Sequence, residues 1–227
     1  MARAILIEGM SGTGKSTAWR NIPSEQAIII TPNGKRLPFQ GATTKYTPFD
    51  PATGKGNVIT TPNLVDIAGY LKSISTGAPF IKYVLIDDFT HYFNARIMSK
   101  TFIADTGFAK WNKFGSDVFA AFLEILPILR EDLTIVVNHH TSRNDEGRHT
   151  FKSSGKLLEN TIDPVSYFTY VFHTQVLRKD TTVDYMFITN DDGIHEAKTP
   201  MGCFSELYVP NDIFECIKVI DKYEKGE

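Results

Sequence analysis

The sequence predicts an α/β fold with a mainly parallel sheet, and three observations carry that expectation. Short apolar runs that stop at a glycine or a polar tip recur along the chain, at 4–7, 27–30, 83–86 and 133–137. Stretches with helical spacing separate them, and this alternation is what parallel strands joined by crossover helices require. Segments rich in β-branched and aromatic residues follow only late, at 167–176 and 183–189. A chain of 227 residues suits one domain, 1–227, with helices on both faces of the sheet and a C-terminal β-hairpin region.

Each element has its own reason. Ala4 to Gly9 reads as a buried strand, and a helix from Gly14 to about Asn21 follows until Pro23 ends it. Ala27 to Ile30 is a second strand, closed by the turn-rich Thr31-Pro32-Asn33-Gly34. Residues 33–62 read as an extended loop or small hairpin in which Lys35, Arg36, Lys45 and Lys55 outnumber Asp50. Asn63 can cap a helix reaching about Ser75, because its side-chain oxygen accepts a free first-turn N–H. Leu64, Ile67, Leu71 and Ile74 share one face of that helix. Tyr83 to Ile86 is a strand delivering Asp87-Asp88, and Val118 to Arg130 a helix bent near Pro127. Leu133 to Val137 is a strand ending in Asn138-His139-His140. Asn190 to Gly193 turns into Ile194–Lys198, a hairpin partner for 183–189. Asn211 or Asp212 caps a final helix with Ile213, Ile217 and Ile220 on its apolar face.

Composition excludes several classes. Balanced charge, 24 Lys+Arg against 26 Asp+Glu, rules out a uniformly basic nucleic-acid coat but permits local patches. Charged residues at 22% and hydrophobic residues at 42% rule out wholesale disorder. Cys203 and Cys216 are too few for a disulfide framework or a four-cysteine zinc site. No apolar run approaches the ~20 residues of a membrane span, and no signal-peptide pattern opens the chain. The expectation is a cytoplasmic protein without a membrane partner.

The most specific signal is Gly9-Met10-Ser11-Gly12-Thr13-Gly14-Lys15-Ser16, which fits G-x-x-x-x-G-K-[ST] between a buried strand and a helix. Glycines let the backbone curl until successive N–H groups converge on phosphate oxygens, and the helix start adds favourable charge. The cradle runs from Gly9 to Thr17, with Lys15 reaching the β- and γ-phosphates of ATP and the Ser16 hydroxyl ligating Mg²⁺. Asp87, at the C-terminal edge of its strand, is the second Mg²⁺ residue. Asp88 reads either as the group that orients or deprotonates water or as a supporting carboxylate or helix cap. Glu8 is a further acidic candidate, or simply pins the loop.

Two families share parts of this pattern. The opening Ile7-Glu8-Gly9 and Gly12 to Thr17 look like thymidylate and deoxynucleoside kinases, but the Asp-Arg pair and arginine-rich lid of those enzymes are missing. Thr134 to His140 resembles the RecA core, where a strand ending in Asn-Gln senses the γ-phosphate, with His139 in place of the glutamine. The full order resembles small phage RecA-like P-loop ATPases of the single-strand annealing type. That resemblance implies a RecA-like fold, ATPase activity, a homo-oligomeric ring or filament, and single-stranded DNA as partner, with a single-strand-binding protein as a further one. It gives His139 a catalytic sensing role, and it makes Lys198 either a γ-phosphate contact across subunits or a solvated hairpin lysine. The water-activating glutamate that RecA carries after its second strand is absent from Thr31 to Lys35, so the resemblance implies that hydrolysis is slow, uses Asp88, or matters less than ATP-dependent assembly. The alternatives are a nucleoside or nucleotide kinase and a nucleotide-gated adaptor without useful turnover.

DNA contact needs positive charge beside aromatic faces. The polar stretch 141–156, placed like a mobile DNA loop, offers Arg143, Arg148, Lys152 and Lys156. Residues 89–117 interleave seven aromatics from Phe89 to Phe114 with Arg96, Lys100, Lys110 and Lys113, and read as either base-stacking or core.

Overall fold

The computed structural model describes residues 1–122, 124–153 and 163–227. In chain order the strands are β1 (Arg3–Gly9), β2 (Ala27–Thr31), β3 (Val58–Thr60), β4 (Tyr83–Ile86), β5 (Thr134–Arg143), β6 (His149–Phe151), β7 (Tyr170–Arg178), β8 (Val183–Ile188) and β9 (Tyr208–Pro210). The helices are α1 (Ala42–Lys45), α2 (Asp66–Gly77), α3 (Phe89–Ile97), α4 (Lys100–Ala104), α5 (Ala109–Phe122) and α6 (Ile213–Lys225).

The sheet runs β3-β2-β4-β5-β1-β7-β8-β9, with β6 paired to β5. Every pairing from β3 through β7 along that path is parallel, and β8 and β9 continue it antiparallel. Central strands are apolar on both sides because both faces are covered. Leu6, Ile135 and Val137 pack with α2, α3 and α5, whereas Ile5, Ile7 and Val136 pack with Trp19 and α6. The α/β class expected from the sequence is the class observed.

Several local expectations need correction. The segment after the phosphate loop is a four-residue 3₁₀ turn, Ser16–Trp19, rather than a helix to Asn21. Residues 33–62 hold α1 and the unforeseen β3, which lies parallel to β2. Asn63 does not cap α2; its amide donates to Asp66, which also receives the Thr61 hydroxyl, and Val65 holds the cap position. Leu64, Ile67, Leu71 and Ile74 are buried as their spacing demands. Helix α5 begins nine residues before Val118 and ends before Pro127; Phe119 is 42% exposed and Val118 is buried in its place. Strand β5 extends past Val137 to Arg143 and folds back on β6, so the expected mobile loop begins as a hairpin. Segment 194–198 does not pair with β8, whose neighbours are β7 and β9; it bridges His149 and Val171 instead. Asp212, not Asn211, caps α6 by accepting from Phe214 N and Glu215 N. Among the described residues no helix is long and apolar enough to cross a membrane.

Candidate nucleotide site

Three parallel strands converge on the site. β5 lies between β1 and β4, so the tips of all three meet at one edge of the sheet. That edge is where open α/β sheets collect ligands. The loop leaving β1 curls through positive φ at Gly9, Gly12 and Gly14. At Gly9 (φ 152°) a Cβ would lie 1.8 Å from Thr174 Oγ1 and 2.9 Å from Thr13 Oγ1. Those hydroxyls lie 2.5 Å apart, and Thr174 also donates to the Glu8 carbonyl at 2.9 Å. Gly9→Ala is therefore expected to cost ~1–3 kcal/mol of stability and to weaken nucleotide binding. Urea melts and analogue titrations of the same preparation measure both.

Lys15 is buried and its ammonium donates to the carbonyls of Gly9 and Met10, each at 2.8 Å. His140 Nδ1 lies 3.3 Å from the same ammonium and must accept, since the ammonium has only protons to give. The remaining proton of that ring then sits on Nε2, 3.4 Å from Asp88 Oδ1. His140 thus bridges the phosphate-loop lysine to Asp88. Burial pushes the Lys15 pKa down to about 8, against the attraction of Asp88 and Asp87. A triphosphate restores the charge, so affinity is expected to fall as pH rises above about 8. One linked proton gives roughly tenfold per pH unit once Lys15 is neutral, with proton uptake on binding. Calorimetry in buffers of different ionisation enthalpy checks both.

The Ser16 hydroxyl donates to Asp87 at 2.9 and 3.2 Å, and Asn138 Nδ2 donates to the same carboxylate at 2.8 Å. Burial raises the Asp87 pKa, opposed by those hydrogen bonds. Asn138 Oδ1 is buried without a partner. A hydroxyl, a carboxylate and an unpaired amide oxygen are hard oxygen donors that suit Mg²⁺ and its waters. Ser16 and Asp87 would hold that ion, and the 9–17 backbone with Lys15 would hold the phosphates.

Asp88 has φ 54° and ψ 45°, the only left-handed non-glycine backbone among the described residues. Such strain collects at functional sites. Asp88 sits at the start of α3 with no capping hydrogen bond from its side chain. The His140 hydrogen bond holds its carboxyl below the ordinary range, so it is a weak base suited to orienting water.

His139 lies elsewhere than expected. It is fully buried on the opposite face of β5, stacked on Phe151 at 3.5 Å between ring centres. Its Nε2 donates to the Lys152 carbonyl (3.0 Å), and its Nδ1 accepts from the Thr90 hydroxyl (3.2 Å). Burial drops its pKa to about 3, so it is neutral. The histidine at the phosphate loop is His140, one residue on, because side chains alternate along a strand. Lys198 is half-buried, and its backbone exchanges hydrogen bonds with Val171.

The basic residues of the hairpin are partly committed. Arg143 donates to His149 at 3.1 Å and Arg148 pairs with Asp191, while Lys152 is exposed. Lys156 lies outside the described residues. Of the 89–117 aromatics, Phe89, Tyr92, Phe93, Phe102 and Phe114 are core, whereas Phe108 is exposed.

The loop has other neighbours, of which sequence reasoning named only Glu8. Asn211 lies 3.3 Å from where a Cβ on Gly14 would stand, with both amide atoms buried and unpartnered. Glu8 is buried with neither carboxylate oxygen partnered, and burial pushes its pKa well above the ordinary carboxylate range. His149, His173 and His195 meet with ring centres 4.6 to 5.6 Å apart. Among the described residues no group of three His, Cys, Asp or Glu is arranged to hold a metal. Only topology brings Asn211 and the three histidines together with the loop, so no local pattern announces them.

The sheet order and the phosphate-loop motif define an α/β core of mostly parallel strands flanked by helices, with the loop at the tip of β1. No model of a known protein family and no curated protein sequence matches the chain. Among solved structures it is similar to the flagellar accessory protein FlaH from Methanocaldococcus jannaschii, at 14% identity over 82% of this chain and 76% of that one, TM-score 0.44. It is also similar to the KaiC-like protein PH0186 from Pyrococcus horikoshii OT3, at 14% identity over 82% and 77%, TM-score 0.48. These are similarities of chain path, not of activity.

Proposed function

We propose that this protein binds and slowly hydrolyses Mg-ATP and, as an oligomer, acts on single-stranded DNA in recombination or strand annealing. One observation supports the coupling above all. The His140 backbone N–H donates to Thr90 Oγ1 (2.9 Å), Thr90 donates to His139, and His139 donates to the Lys152 carbonyl. This chain of bonds joins the phosphate-loop side of β5 to the end of its basic hairpin. A change at Lys15 or Asn138 has a physical route to Arg143 and Lys152.

In this reading Mg²⁺ supplies charge neutralisation for the phosphates when bound. Lys15 and the loop amides hold phosphate oxygens, Ser16 and Asp87 hold the metal, and Asn138 offers a buried acceptor beside them. Asp88, kept ionised by His140, orients water without removing its proton readily, which accords with slow turnover. Lys198 completes the site of a neighbouring subunit. Mixing Lys15→Ala with Lys198→Ala chains then restores part of the hydrolysis that each lacks alone.

The test is fluorescence anisotropy of a labelled single-stranded oligonucleotide, with and without Mg-ATP, across a salt series. Binding strengthened by Mg-ATP, with a steep inverse dependence on salt, is expected. Absence of binding in every condition removes the DNA reading and leaves the nucleotide site standing.

A further inference from the structure

A cavity opens beside Asp87. It has a volume of about 320 Å³ and lies over β2 and β3, lined by Ile29, Leu37, Tyr46 and Val58 and by Asp87. Lys35 and Arg36 line its rim. Both are exposed, and neither enters an ion pair or side-chain hydrogen bond among the described residues. The backbone aims them: Asn33 Oδ1 accepts from Lys35 N at 3.1 Å, and Gly34 takes φ 62° where a Cβ would press Thr60 Oγ1 at 3.3 Å. The Lys35 charge is felt at both Lys15 and Asp88. Two unneutralised cations over an apolar pocket of small-molecule size describe a site for an anion carrying a flat apolar body.

We propose that this cavity is a second ligand subsite, taking one mononucleotide unit with its phosphate on Lys35 and Arg36 and its base against Leu37, Tyr46 and Val58. The unit meets the nucleotide on the phosphate loop across Asp87, since strand order places β2 and β3 beyond β4 from β1. Its source is a free nucleoside monophosphate or the phosphorylated end of a strand. This subsite rests on the phosphate-loop reading only for its neighbour, not for its existence.

Calorimetry on the full chain tests it, with the phosphate loop saturated by a non-hydrolysable ATP analogue and Mg²⁺. The titrants are nucleoside 5′-monophosphates and short oligonucleotides with and without a 5′-phosphate. Binding of one equivalent beside the analogue is expected, weakened about tenfold or more in Lys35→Ala/Arg36→Ala through loss of charge-assisted phosphate contacts. Monophosphates binding alone assign the free small molecule, whereas preference for the phosphorylated oligonucleotide assigns the strand end. Either supports the subsite. No binding beside the analogue, displacement by the analogue, or indifference to the double substitution overturns it. If the analogue itself fails to bind, the phosphate-loop reading falls, and titration without analogue still tests the cavity.

Discussion

Lys15→Ala is expected to lower hydrolysis by ~10²–10³-fold, the scale seen when one preorganised charge-stabilising group is removed. The fold should survive, because the bonds of Lys15 run to two loop carbonyls and one histidine rather than into either apolar core. A thermal shift separates the two effects. Saturating the unmodified protein with Mg-ATP analogue at ~100 times its Kd adds about 2.7 kcal/mol of stability. The variant should lose most of that gain while its ligand-free melting point barely moves. A variant that keeps both hydrolysis and the ligand-induced shift would remove the phosphate loop from the mechanism.

Asp87→Asn is expected to do two opposite things. Hydrolysis should fall by ~10²–10³-fold with the loss of the metal carboxylate, while the ligand-free protein becomes more stable. Burial raises the Asp87 pKa, so its protonated form is the one folding favours. That favourable contribution is full below the ordinary carboxylate range and is lost as pH rises through the folded-state value. An amide carries no such loss, and it still accepts from Ser16 and Asn138. The melting point of Asp87→Asn should therefore exceed that of the unmodified chain at neutral pH, with the gap closing in acid. The advantage should reverse on adding Mg-ATP analogue, which stabilises only the chain that keeps its carboxylate. Melting curves from pH 3 to 8, with and without the analogue, read all of this.

The parallel core was legible because its strands are short apolar runs between polar tips, and burial on both faces leaves that mark. Glycine spacing before Lys15 and the acidic end of Tyr83–Ile86 were legible because phosphate and metal chemistry dictates residue types at fixed distances. What escaped was phase and pairing. His139 and His140 are adjacent, and only the register of β5 against β1 and β4 decides which one meets Lys15. Strand β3 is three residues long and needs β2 beside it to exist, so its own sequence carries little signal. Asn211 and Lys35 reach the site from distant segments, and nothing local in either marks them. The aromatic stretch 89–117 was ambiguous for a different reason. Burial and base stacking ask for the same side chains, and packing against β5 resolved most of them as core.

Strand β5 is continuous from Thr134 to Arg143, without a glycine or proline to act as a joint. A structure of this kind behaves as a stiff rod anchored in the core, not as a hinged flap. Motion at its nucleotide end reaches the hairpin as a tilt of the whole rod, small in amplitude and shared by His149–Phe151 alongside. Probes at Arg143 and Phe151 should accordingly report one common transition, rather than two independent ones, when nucleotide is exchanged.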